Sequence, residues 1–85
     1  MYELMSFVNR GKSRKRVLKE LNRPMTPTDL SNKIQIHRST ISRTLIELEQ
    51  KGLVKCLTPK EKMGRYYEIS EMGKKILSSI EENNR

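Results

Sequence analysis

Alanine and tryptophan are absent from this 85-residue sequence, and cysteine and histidine occur once each. A single thiol excludes a disulfide framework, and one Cys with one His excludes a zinc site made within one chain. No apolar run approaches the ~18 residues of a membrane span, so no membrane partner is expected. The opening Met1-Tyr2-Glu3-Leu4 carries an acid where a secretory signal wants Lys or Arg, which points to a cytoplasmic protein. Four aromatic residues make no stacking platform for single-stranded nucleic acid. Neither a nucleophile–base pair nor a glycine-rich phosphate loop occurs, so no catalytic residues, no enzyme and no cofactor are expected. Apolar residues are only 34% of the chain. A core that thin leaves room for a hydrophobic stripe covered by a second subunit, because chains of this size bury only roughly 60% of their unfolded surface.

What the sequence has in excess is positive charge. Lys and Arg number 18 against 10 acids, a formal net charge of +8. Such a balance favours an anionic partner. Residues 1–44 carry +7 of it, densest at Arg10, Lys12, Arg14, Lys15, Arg16 and Lys19. A cluster of this kind is either a solvated helix face or a phosphate-binding surface, and its neighbours decide which.

Periodicity divides the chain into helices at about 2–9, 13–22, 27–34, 38–51 and 71–82, with strands at about 53–57 and 65–69. Leu4, Met5 and Val8 form the first stripe, and Gly11 stops it. Ser13 is placed to cap the second helix, and Asn22-Arg23-Pro24 ends it. Thr26-Pro27-Thr28-Asp29 has the form of a capping box with proline in the first helical position. In the fourth helix Ile41, Leu45 and Leu48 share one face, and Gly52 supplies a left-handed stop. The period then changes to two: Val54 and Cys56 oppose Lys55, and Tyr67 and Ile69 oppose Tyr66 and Glu68. Ser70 caps a last helix carrying Met72, Ile76 and Ile80, and residues 81–85 are expected to fray.

A short helix, a tight turn and a longer helix make a helix-turn-helix, whose second member can enter the major groove. At 100° per residue its apolar stripe spans roughly 60°. Ser39, Arg43, Ile46 and Gln50 face away from it, with Thr40, Ser42 and Glu47 on the flanks. The exposed N-terminal face is thus rich in Arg and hydroxyls, at a helix end where the dipole favours phosphate. Arg can pair with guanine, and Ser or Thr can reach phosphates or base edges.

Gln35-Ile36-His37-Arg38-Ser39-Thr40-Ile41-Ser42-Arg43 resembles the turn and recognition helix of prokaryotic winged helix-turn-helix regulators of the ArsR/MarR-like superfamily. Glu47 to Val54 resembles that helix running into the first wing strand, and Lys55 to Tyr67 the wing of small stand-alone archaeal members, with Ile69-Ser70 and Gly73 completing the pattern. The likeness covers roughly residues 13–77. It implies a mostly α fold with a small β-hairpin over residues 1–85, with 1–10 and 71–85 as dimerisation helices. It implies a sequence-specific transcriptional regulator of double-stranded DNA, acting as a homodimer.

By that resemblance His37, Arg38, Ser39, Thr40, Ser42 and Arg43 occupy recognition positions, and Lys60, Lys62 and Arg65 the wing. Lys12, Arg14, Lys15, Thr26 and Thr28 are candidates for the DNA backbone, and Leu4, Met5, Val8, Met72, Ile76 and Ile80 for the dimer interface, unless these stripes cover the chain's own core. Three departures stand out. Gln35 replaces the usual glycine of the turn, where a left-handed residue costs roughly 1 kcal/mol, so a turn of different detail is expected. His37 replaces a small polar cap and either flanks the helix terminus or contacts DNA. Ile46 stands at a normally polar position; it packs under a neighbouring element or meets a thymine methyl.

Other uses of the fold remain. A winged helix also serves as a protein-docking adaptor of the transcription machinery, although docking surfaces are depleted in Lys at their centre. A chromatin-like DNA-coating protein needs the same positive surface as a regulator. Cys56 alternates inward with Val54, where a thiol is inert rather than redox-sensing. No residue points to a metal or to a small-molecule effector, and the winged helix itself occupies nearly the whole chain.

Overall fold

The computed structural model describes residues 2–83. Five helices and one hairpin follow in the order α1 (Tyr2–Arg10), α2 (Arg14–Glu20), α3 (Pro27–Ile34), α4 (Arg38–Gln50), β1 (Val54–Cys56), β2 (Tyr67–Ile69) and α5 (Glu71–Asn83). This is the expected winged helix-turn-helix. Part of the expected fraying at 81–85 falls on Asn84 and Arg85, which lie outside the described residues; 81–83 are helical.

Local chemistry sets most of the helix starts. Thr26 Oγ1 accepts from the Asp29 N–H at 3.1 Å while the Thr26 N–H donates to Asp29 Oδ2 at 3.3 Å, a complete capping box with Pro27 behind it. Ser70 Oγ accepts from the Gly73 N–H at 3.0 Å and donates to the Gly52 carbonyl at 2.6 Å, tying the start of α5 to the end of α4. Ser13 does not cap α2 as expected. Its hydroxyl is 2.7 Å from that of Thr44 on α4, so a tertiary bond replaces the local one.

The hairpin is shorter than its alternation implies, with Val54, Lys55 and Cys56 opposite Ile69, Glu68 and Tyr67. A rung that periodicity does not reveal lies on its other side. Met25 and Tyr67 exchange both backbone bonds, at 3.0 and 2.9 Å, and the Ile69 N–H reaches the Leu21 carbonyl at 3.1 Å. These bonds pull residues 21–25 out of the helix, so α2 stops at Glu20 and not at Asn22.

Leu18, Leu21, Leu30, Ile41, Leu45, Leu48 and Leu53 close one apolar cluster at the centre. Val8, Ile76 and Ile80 belong to it as fully buried residues. They are therefore core residues and not free dimer surface. Of the expected interface set, only Leu4, Met5 and Met72 retain exposed area. No helix among the described residues is long and apolar enough to cross a membrane.

Candidate nucleic-acid interface

The turn before α4 keeps the left-handed step that its sequence disfavours. Gln35 has φ 58° and ψ 40°, so the expectation of a different turn is corrected. The strain is offset by neighbouring bonds. The Gln35 N–H donates to Ser31 O at 3.0 Å and its Nε2 to Asn32 O at 3.1 Å, while Ser31 Oγ donates to Ile36 O at 2.7 Å. Arg16 Nη2 adds a bond to the Ile34 carbonyl at 2.6 Å.

His37 is the cap of α4. Its Nδ1 accepts from the Ser39 N–H at 3.3 Å and lies 2.8 Å from Ser39 Oγ. With Nδ1 accepting from the Ser39 amide, the neutral ring carries its proton on Nε2, on an exposed side chain at the helix start. The imidazole thus caps α4, the first of the two places expected for it. Arg38, Ser39 and Arg43 are exposed on α4, and Thr40 and Ser42 half-buried.

A cleft of about 370 Å³ opens between α4, the N-terminus of α3 and the hairpin tip. Thr26 and Thr28 line it from α3, Arg38, Ser42 and Ile46 from α4, and Lys62 and Arg65 from the hairpin, over a floor of Leu45 and Tyr67. Three segments far apart in sequence thus bring hydroxyls and cations to one face. Lys60 is exposed nearby in chain order, on the same hairpin loop. Ile46 does not pack under a neighbour, the first expectation for it: it is 53% exposed. Met63 at the hairpin tip is 87% exposed and lines the same cleft, a feature that the alternation of the strands does not signal.

Arg65 is less available than the other hairpin cations. Its guanidinium carbon lies 5.9 Å from the centre of the Tyr67 ring, and its Nε is buried without a hydrogen-bond partner. The Cys56 thiol, then the Tyr67 hydroxyl, hold it above its ordinary pKa. Burial pushes the Tyr67 hydroxyl up, against the opposing pull of Arg65. Cys56 itself is half-buried against the core.

The cluster on α2 divides. Lys12 is exposed and Lys15 half-buried, whereas Arg14 is turned inward onto Phe7 and Glu47. None of these three lines the cleft. Among the described residues no three His, Cys, Asp or Glu gather closely enough to hold a metal.

Comparison with known proteins agrees with this architecture. The family model described as the HVO_A0261 N-terminal domain matches residues 2–84. No curated protein matches the sequence. Among solved structures, a MarR family transcription regulator superposes with a TM-score of 0.77 at 22% identity, over 98% of this chain and 62% of the other. A MarR mutant from E. coli, complexed with operator DNA, gives 0.76 at 23% identity, over 94% and 59%. The transcriptional regulator BldR from Sulfolobus solfataricus gives 0.71 at 27% identity, over 81% and 51%. The chain therefore spans about three fifths of the length of the MarR structures it resembles.

Proposed function

This chain belongs to the HVO_A0261 N-terminal domain family, and we propose that it is a transcriptional regulator that reads double-stranded DNA as a homodimer. The observation that carries the reading is the cleft, in which the capped start of α3, the N-terminal face of α4 and the hairpin cations converge. That arrangement fits a duplex with α4 in the major groove and the hairpin on adjacent backbone or in the minor groove. The operator complex of the E. coli MarR mutant, with the same fold, supports it.

Arg43 is assigned to base edges, where a bidentate contact to guanine discriminates by about 1–3 kcal/mol. Arg38, Ser42 and His37 Nε2 are assigned to base edges or phosphates at the helix start, with Ser39 and Thr40 beside them. Lys60, Lys62 and Arg65 are assigned to the backbone beside the hairpin, and Lys12, Lys15, Thr26 and Thr28 to phosphates. Ile46, with Met63 across the cleft, presents an apolar spot suited to a thymine methyl. A dimer explains how so short a reading helix achieves selectivity, since two half-sites one helical turn apart add their discrimination.

Two substitutions test the division of roles. Arg43→Ala is expected to reduce preference for the selected sequence over random duplex while leaving random-duplex affinity nearly intact. Lys62→Ala is expected to weaken all duplexes alike and to flatten the salt slope by about 0.9. Titrations at several salt concentrations measure both. Indistinguishable behaviour of the two variants contradicts the assignment. Unchanged affinity in both favours a protein-docking role.

A further inference from the structure

We propose that the start of α2 is a brace that sets the recognition helix, with Ser13, Arg14 and Arg16 as positioning residues that do not touch DNA. The inference rests on the DNA-reading function above. Arg14 and Arg16 belong to the basic cluster whose charge suggests phosphate contacts, yet each commits a guanidinium nitrogen to a backbone carbonyl, Arg14 half-buried and Arg16 from an exposed position. Arg14 Nη1 donates to the Phe7 carbonyl at 2.6 Å and Nε to Glu47 Oε1 at 3.3 Å, while its guanidinium lies 3.8 Å from the centre of the Phe7 ring. The side chain is left 18% exposed. It therefore joins α1 to the third turn of α4.

The neighbouring bonds act on the same helix. Ser13 Oγ meets Thr44 Oγ1 at 2.7 Å, and Thr44 is the polar residue buried on the inner face of α4. Arg16 Nη2 holds the Ile34 carbonyl, just before the left-handed step that aims α4. Lys51, at the far end of α4, lies 5.4 Å from the Phe7 ring that Arg14 covers from closer range. The helix is thus fixed before its start, at its middle and at its end. Turning Arg14 outward to a phosphate would break both hydrogen bonds and uncover the ring together. Lys12 and Lys15 remain available for phosphates without that cost.

Arg14→Lys separates the two roles, because it keeps the charge but lacks the planar fork that donates to two partners while stacking. A brace predicts that Arg14→Lys lowers the preference for the selected operator over random duplex by about fivefold or more, the loss of one base contact. The salt slope stays at the wild-type value, and Glu47→Gln gives the same pattern. Arg16→Lys is expected to do likewise through the turn. Thermal unfolding confirms that each variant is folded at the assay temperature. In the free protein, Arg14→Lys is expected to shift the amide resonances of α4 around Thr44 and Glu47.

Preserved discrimination in Arg14→Lys, or a salt slope flattened by about 0.9 in Arg14→Ala, overturns the brace in favour of a phosphate contact. If the wild type itself selects no sequence, the DNA-reading function fails instead. The amide shifts then decide the brace alone, and unmoved α4 resonances overturn it.

Discussion

Gln35 holds a left-handed backbone at the step between α3 and α4, where a side chain has to crowd its own carbonyl. From sequence, glutamine there argues for an altered turn. The structure keeps the turn because side-chain bonds from Ser31, Gln35 and Arg16 gather around it. Those bonds join residues up to 18 positions apart, which no local rule registers. Gln35→Gly is expected to raise stability by roughly 0.5 kcal/mol, the relief of strain less the added unfolded-state entropy of glycine. Denaturant unfolding checks it, and a loss of stability would mean that the Nε2 bond outweighs the strain. Ile46 and Arg14 escape a sequence reading for a related reason. A helical wheel shows which side a residue faces but not what stands opposite. The hairpin leaves Ile46 open, and Phe7 with Glu47 takes up Arg14.

Elements defined by short-range chemistry are legible in the sequence. The Thr26 capping box, the Ser70 cap, the stripe of α4 and the left-handed Gly52 all lie within a few residues of the pattern that announces them. Elements whose ends are set by tertiary bonds are not. The Met25–Tyr67 rung shortens α2, and the ladder covers only three residues of each expected strand. Gly73 matches the family pattern, and its reason is close packing: a Cβ there would overlap the Leu53 carbonyl oxygen and press on Ile69. Gly73→Ala is therefore expected to destabilise by about 1–3 kcal/mol as α5 is forced from the hairpin. At Gly52, with φ 75° and open space where a Cβ would stand, alanine meets only backbone strain of about 1 kcal/mol. Thermal unfolding of both variants orders them, and a milder effect at Gly73 would contradict the packing account.

The charge of the whole molecule carries the plainest message, since +7 of the formal +8 lies in residues 1–44, which hold α3, the turn and the N-terminal half of α4. What it does not convey is direction. Arg14 is turned inward, Arg16 is exposed but tied to the Ile34 carbonyl, and Lys19 and Lys33 pair with Glu81 and Glu20, so fewer of these cations are free for an anionic partner than the number of basic residues suggests. The dimer surface is equally ambiguous in sequence. A stripe that buries against its own core has the same period as one that buries against a partner. Val8, Ile76 and Ile80 prove to be the former, which leaves Leu4, Met5, Met72 and the 83% exposed Tyr2 for a second copy. Sedimentation at tens of micromolar is expected to give twice the 10.0 kDa chain mass, and a monomer there contradicts the homodimer.

The central claim is that this surface reads sequence in duplex DNA. Selection from a pool of random duplexes, sequenced after binding at two salt concentrations, tests it most directly. The account predicts a palindromic motif with half-sites about 10 base pairs apart, enriched at both salts. Tight binding at low salt that vanishes at high salt with no motif enriched would contradict it, and would make the protein a coat for DNA.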